Sequence, residues 1–389
     1  MKDNRMLRAI SLFTGCGGMD FALRDSGVDV VFANDIIPET METCARHFPE
    51  VDFHLEDIRN LSKFPAADIV TGGYPCQSFS MGGNRSPGSD PRTYLFREFA
   101  RVVDKVHPKF FVAENVSGLK SVQDGKWLSL QLDTFNRVGR VGYHIAMALL
   151  NARDYGVPQR RKRVLIVGVR KDLGLHYHFP SPTHGKAETA GKTRLLPYTS
   201  HGDAIRHLPL DAPGEFYERP HDPEGNFSWY YMSRNRKAPW AAPSFTIVAN
   251  FRHITLHPAS PTMRLVWSNL ADGWKQKWEF TDIYEHLSID KNLPCLEKPR
   301  RLSWREAALI QTFPRDFEPA GKLEKKFEQI GNAVPPMLMR AVLKGLIDGT
   351  ALHDYPGDDG QFIATPEQMM MFGAARSSSD DDEPEQAAG

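Results

Sequence analysis

Between Leu7 and Lys171 short apolar runs alternate with amphipathic segments, and this alternation restricts the fold more than any other feature of the chain. "LRAISLF", "VDVVFAND", "ADIVTGG", "KFFVAEN", "YHIAMALLNA" and "RKRVLIVGVRK" read as strands, most of them apolar enough for burial on both faces. "MDFALRDSG", closed by Gly27, and "PETMETCARHF", opened by Pro38, read as helices. "DPRTYLFREFARVVDKV" is the strongest helix signal: Asp90 caps it, Pro91 starts it, and Leu95, Phe96, Phe99, Val102, Val103 and Val106 form an apolar stripe. Strands and helices in this order predict an α/β fold with a doubly wound, largely parallel sheet.

The texture changes after residue 178. Residues 179–300 are rich in Pro, His, Trp, Arg and Asn with little helical periodicity, as expected of a loop-rich domain that works by surface contacts. "SWREAALIQTF" and "PPMLMRAVLKGLI" then look helical, and the last can return to the first domain. The division expected is 1–178, 179–300, a return over 301–348, and an extension over 349–389. From Asp348 onward ten acidic residues face one basic residue, Arg376, so the preceding body carries 47 basic against 38 acidic residues although the net charge is zero. "SSSDDDEPEQAAG" reads as a disordered acidic tail. "QRRKR" at 159–163 and "KPRRLSWR" at 298–305 suit phosphate contacts or solvated surface charge. Apolar runs fall short of a membrane span, "MKDNRMLRAI" lacks a signal peptide's apolar centre, and Cys16, Cys44, Cys76 and Cys295 show no metal-ligand spacing or disulfide framework. A reducing cytoplasm is the simplest home, and no metal is expected.

Two constellations carry chemistry. In "SLFTGCGGMD" Gly15, Gly17 and Gly18 join the first strand to its helix, which suits close backbone approach to a cofactor. The pattern is not G-x-G-x-x-G, which disfavours a dinucleotide and with it a nicotinamide-dependent dehydrogenase. Asp35 ends the second strand, where a carboxylate accepts from ribose hydroxyls, and Asp57 follows "FHLE", a further strand, where it can meet an adenine edge. A nucleoside cofactor without a diphosphate points to S-adenosylmethionine. In "GGYPCQSFS" Cys76 follows a strand, and in "FFVAENVSG" Glu114 and Asn115 end another. A lone cysteine is as often a core thiol as a nucleophile. Paired with an acid, though, a thiolate can attack C6 of a pyrimidine while the acid engages N3.

"FTGCGG", "GGYPCQSFS", "AENV", "QRRKR", "RLSWREAALIQTFP" and "QIGNAVP", in this order, resemble the motif series of the cytosine-C5 DNA methyltransferases over residues 7 to about 348. The resemblance implies a Rossmann-like methyltransferase fold of mixed sheet with a smaller target-recognition domain over 179–300. It implies Cys76 as nucleophile and Glu114 as acid, with Arg161 and Arg163 near the target base and Asn115 orienting the catalytic loop. For the cofactor it implies Phe13, Gly15, Gly17, Gly18, Asp35 (where the family more often has glutamate), Asp57, Ile58, Pro75 and Leu95, with Asn332, Ala333 and Val334 closing the pocket. The target cytosine is swung out of duplex DNA. "SMGGNRSPGSDPR" is then the loop that closes over it, with Ser80 contacting DNA. "YMSRNRKAPWAAPSFTIVANFRHITLHPASPTM" resembles the recognition segment of members that methylate GGCC sites, with a degenerate or longer GC-rich site as the alternative. There Arg234, Arg236 and Arg252 match guanine-reading arginines, and Thr246 matches a residue holding the flipped nucleotide's backbone. Implied partners are double-stranded DNA, bound by a monomer, and a separately encoded cognate restriction endonuclease, in the bacterial cytoplasm or nucleoid. A tRNA cytosine-C5 methyltransferase and a catalytically silent DNA-binding regulator are the alternatives. Methyl incorporation into DNA and tRNA separates all three.

Overall fold

Ala9, Ile10 and Leu12 have no exposed surface, which places the first strand at the centre of its sheet. The computed structural model describes residues 5–75, 94–120, 125–186, 194–218, 227–269, 275–284 and 294–357. Its contacts divide the chain into two compact units, one of Met1–Tyr155, Lys162–Pro182 and Ala333–Gly389, the other of Gly156–Arg161 and Thr183–Asn332.

The first unit runs β1 (Arg8–Leu12), α1 (Gly18–Asp25), β2 (Asp29–Asp35), α2 (Pro38–His47), β3 (Asp52–Leu55), β4 (Ile69–Gly72), α3 (Leu95–Val106), β5 (Phe110–Val116), α4 (Lys126–Arg137), β6 (Tyr143–Asn151), β7 (Lys162–Arg170) and β8 (Leu175–Tyr177). The seven-stranded sheet has the order β3-β2-β1-β4-β5-β7-β6. β3, β2, β1, β4 and β5 pair in parallel, whereas β7 runs antiparallel to both β5 and β6, so the sheet is mixed as the resemblance implied. Its core is aromatic: Phe96, Phe99, Phe111 and Phe135 have no exposed surface. Each such ring contributes about 1.5–3 kcal/mol through burial. Phe111 lies opposite Gly168 in the β5–β7 ladder, and a side chain at Gly168 would come within 2.6 Å of the Phe111 ring. That glycine makes room for the stack of Phe111 on Phe135 and Tyr143, at 5.2 and 5.1 Å between centroids.

In the second unit β9 (His184–Gly185) pairs with β10 (Leu196–Pro197), and β11 (Met263–Asn269) forms an antiparallel ribbon with β12 (Lys275–Phe280). Capping boxes start α5 (His201–Ile205), by Ser200 and Asp203, and α6 (Trp304–Ile310), by Ser303 and Glu306. α7 (Leu323–Asn332) completes the unit. The chain therefore rejoins the first unit at Ala333 rather than at residue 301, because the buried face of α6 packs against α5 and α7. α8 (Pro336–Ile347) packs against α1, and β13 (Leu352–Asp354) pairs antiparallel with β8, both in the first unit.

The two basic clusters are largely internal, not solvated. Arg161, Arg163, Arg300 and Arg301 are all buried. Arg300 forms a two-pronged pair with Glu306 at 2.9 and 2.7 Å, and Arg301 stacks over Tyr217, Phe227 and Tyr231 at 5.0, 4.8 and 4.4 Å. A guanidinium satisfied this way is held away from phosphate.

Candidate active site at the strand ends

Five parallel strands deliver the expected residues to one edge of the sheet. β1 ends in the glycine turn, β2 in Asp35, β4 in Gly72 followed by Gly73-Tyr74-Pro75, and β5 in Glu114, Asn115 and Val116; Asp57 and Ile58 follow β3. Carboxyl ends of parallel strands are where open α/β sheets bind ligands.

The turn adopts left-handed backbone at Phe13 (φ 52), Gly15 (φ 58) and Gly17 (φ 83). The last two suit glycine, whereas Phe13 holds a conformation that costs a side-chain-bearing residue about 1–2 kcal/mol. Asp35 ties the turn in place: its carboxylate accepts from the Gly15 amide at 2.8 Å and from the Ile36 and Ile37 amides at 2.7 and 3.0 Å. Expected on a ribose, Asp35 is thus engaged with three backbone donors, and burial raises its pKa. Gly18 lies against the segment entering α8, where an added Cβ would overlap the Val334 carbonyl oxygen and sit 3.4 Å from the Ala333 side chain. The glycine turn and "AV" thus meet within the first unit, whereas Asn332 ends α7 in the second unit. Asp57 caps a short 3-10 turn and forms a two-pronged pair with Arg59, which lowers its pKa. Ile58 is buried, and Phe13 and Leu95 pack on the same hydrophobic cluster. Together these residues form a cradle of glycine backbone, carboxylate and apolar surface that fits a nucleoside-bearing cofactor.

Glu114 is 8% exposed and pairs with the Arg163 guanidinium at 2.9 Å. The backbone of Gly73 abuts that carboxylate so closely that a Cβ there would be 3.1 Å from Oε2. Asn115 Nδ2 donates to the Tyr74 carbonyl at 3.5 Å, and the Tyr74 hydroxyl donates to Gln131 at 2.6 Å. The residues leading into Cys76 are therefore seated against Glu114 and Asn115. Cys76, Ser80 and the "SMGGNRSPGSDPR" segment lie outside the described residues, as does the acidic tail.

Within the second unit Arg161 is 1% exposed and donates to the carbonyls of Ile247 at 3.0 Å and Gly331 at 2.8 Å. Expected beside the target base, it instead joins three motifs. Gln159 donates to Gln311 at 2.9 Å and accepts from the Ile247 amide at 2.9 Å, and Gln311 donates to the Ile330 carbonyl at 2.7 Å. Both glutamines lay inside the quoted motifs, but only their burial marks them as a junction. The Thr246 hydroxyl, expected on a nucleotide's backbone, donates to the Arg160 carbonyl at 2.6 Å.

The recognition arginines differ among themselves. Arg236 is 2% exposed; it bonds the carbonyls of Tyr231 and His253 at 3.2 and 3.4 Å and lies 4.9 Å over the Tyr231 ring. Its guanidinium is turned to these backbone carbonyls, whereas the resemblance has it reading guanine. Arg252 is exposed and Arg234 half-buried, so both remain able to do so.

Residues 7–348 match the family described as C-5 cytosine-specific DNA methylase. The Type II methyltransferase M.BspRI of Lysinibacillus sphaericus is 37% identical, over 90% of this chain and 83% of its own. M.BsuRI of Bacillus subtilis is 36% identical, over 86% of this chain and 78% of its own. In fold the chain is similar to a prophage-encoded DNA modification methyltransferase from E. coli (TM-score 0.61, 21% identity, 88% of this chain and 99% of that one). It is likewise similar to Spodoptera frugiperda DNMT2 (TM-score 0.59, 20% identity, 88% and 99%).

Proposed function

The chain belongs to the C-5 cytosine-specific DNA methylases and uses S-adenosylmethionine to methylate cytosine in DNA; on that premise we propose that it works through a covalent bond from Cys76 to C6 of a cytosine swung out of a GGCC site. The observation that carries this reading is the seating of Gly73-Tyr74-Pro75 against Glu114 and Asn115, which brings the approach to the nucleophile beside the acid.

The steps follow from the residues. The Cys76 thiolate adds to C6 while Glu114 holds the N3 edge, so electron density moves to C5. When bound, the cofactor supplies an electrophilic methyl group, which C5 takes. The C5 proton then leaves to a base, the Cys76–C6 bond breaks, and the ring regains its aromaticity with the thiolate restored. Arg163 fixes the Glu114 carboxylate at 2.9 Å and keeps a positive charge beside it. Phe13, Gly15, Gly17, Gly18, Asp35, Asp57, Ile58, Pro75, Leu95, Ala333 and Val334 hold the cofactor.

The second unit reads the sequence. Arg252 and Arg234 take guanine edges, Arg236 shapes the segment that presents them, and Arg161 and Thr246 tie residues 246–247 of that segment to residues 160–161. The enzyme acts on duplex DNA as a monomer and accompanies a separately encoded restriction endonuclease. No helix among the described residues is long and apolar enough to cross a membrane.

The test is bisulfite sequencing of plasmid DNA from cells expressing the wild-type chain and Cys76→Ser. Conversion-resistant cytosines confined to GGCC, and lost in the variant, are expected. Resistance at another motif would overturn the site; activity in the variant would overturn the covalent route.

A further inference from the structure

Asp20 stands two residues beyond Gly18 in the first turn of α1, is 2% exposed, and neither carboxylate oxygen has a well-formed hydrogen bond. The Ser11 hydroxyl and the residue's own backbone are the groups that favour its ionised form, and among the described residues no lysine, arginine or histidine does so. Ser11 in turn accepts from Thr14 at 3.0 Å, inside the glycine turn, which leaves its own proton free to point at Asp20. Thr71, opposite Ser11 in the β1–β4 ladder, also has a buried hydroxyl with no hydrogen-bond partner. A buried carboxylate without a cation is unfavourable, and its retention beneath a ligand-binding turn calls for a charge supplied from outside the chain.

Asp20 is felt across that turn. Cys16, in the turn, and Cys44, on α2, both have thiols pushed up by burial and further by the charges of Asp20 and Asp35. Cys44 Sγ meets the Gly15 carbonyl at 3.6 Å, so the field passes through the backbone that cradles the cofactor. The other groups around Asp20 do not neutralise it. Asp35, at the end of β2, has the same sign and is held by three amides. α8, packed on α1, directs Arg340 to the exposed Asp25 at 3.3 Å.

We propose that Asp20 is the buried counter-charge by which this chain distinguishes S-adenosylmethionine, which carries a sulfonium, from S-adenosylhomocysteine, the uncharged thioether left after transfer. This rests on the turn at Phe13–Gly18 being the cofactor's seat. Asp20 is a positioning residue: it acts through the field at the turn, not by contact with the reacting atoms. Burial raises its pKa to about 6, so the discrimination operates at neutral and alkaline pH and fades as Asp20 takes up a proton. One charge lost at the reacting centre then weakens the product's hold, which speeds exchange for a fresh cofactor.

Calorimetric titration of the full chain, without DNA, tests this with both ligands at pH 8 and pH 5.5. In the wild type the ratio of S-adenosylmethionine to S-adenosylhomocysteine affinity should fall on acidification. Asp20→Asn should lower the ratio by about tenfold at pH 8 and much less at pH 5.5, as expected for loss of one charge interaction in a partly screened interior. Asp20→Glu should restore it in part. A variant that weakens both ligands equally would overturn the proposal in favour of a purely structural role. If Asp20→Asn does not fold, a wild-type ratio that is flat with pH overturns it alone. Failure of either ligand to bind the wild type would refute the cofactor seat itself.

Discussion

Gly331→Ala probes the junction that holds the second unit's motifs together. The added Cβ would lie 2.5 Å from Ala249 Cα and overlap the adjoining Val248–Ala249 peptide. Ordinary carbon contacts need about 3.5–4.0 Å, so the 248–249 segment or the helix must move by roughly 1 Å. Rotating a side chain cannot relieve the collision, because the obstacle is backbone. Nor can the two segments part freely, since Arg161 holds the Ile247 and Gly331 carbonyls at 3.0 and 2.8 Å. Overpacking typically costs about 1–3 kcal/mol, and this geometry belongs at the upper end. For a unit of this size about 3 kcal/mol lowers the melting temperature by roughly 6–12 °C. Thermal unfolding followed by the fluorescence of buried Trp240 and Trp304 measures it. Gly214→Ala is the control: its φ is 74 with no atom within 4 Å, so it carries only backbone strain of about 1–2 kcal/mol. If Gly331→Ala melts within 2 °C of the wild type, or no lower than Gly214→Ala, the close approach of α7 to residues 248–249 is refuted.

Burial depresses the His201 pKa to about 4, below the unfolded value near 6.5, so its contribution is full above pH 6.5 and is lost as pH falls toward 4. His201→Asn should therefore flatten the pH dependence of urea unfolding by about 2 kcal/mol between pH 7.5 and 5, and an unchanged slope would refute the histidine's burial as a neutral ring. Arg163→Met strands the Glu114 carboxylate and should cost about 3 kcal/mol in chemical denaturation, with much of it recovered in Arg163→Met/Glu114→Gln; strictly additive losses would deny the pair. Arg236→Ala should weaken binding of every duplex alike and lower thermal stability, whereas Arg252→Ala should cost about 1–3 kcal/mol of discrimination at one base pair, read from competition binding with substituted duplexes.

Sequence alone determined the strand order along the chain, because runs such as "DIVTGG" and "FFVAEN" are apolar over strand lengths and are bounded by glycine, proline or capping residues. It also identified the family, since the ordered motif series over residues 7 to about 348 coincides with the family match over residues 7–348. α4 escaped it, because the face that α4 buries includes Gln131, whose partner Tyr74 lies 57 residues away. So did α7, "LEKKFEQIGN", whose buried Phe327, Gln329 and Ile330 are too few and too polar to stand out from its charged residues.

Only the tertiary structure decided which charges are inside. Arg161, Arg236, Arg300 and Arg301 read as surface cations because arginine is rarely buried, and local pattern does not show which groups will meet them. Each is satisfied by groups that folding brings up, mostly backbone carbonyls: Arg161 by one 170 residues away, Arg300 by one 90 away together with Glu306, and Arg301 by one 84 away. Asp20 is the converse case, a residue of ordinary appearance in a helix's first turn that packing sealed in without a cation. Periodicity records where a chain prefers to be apolar. Whether a polar group keeps its water depends on distant segments, and local pattern does not encode that.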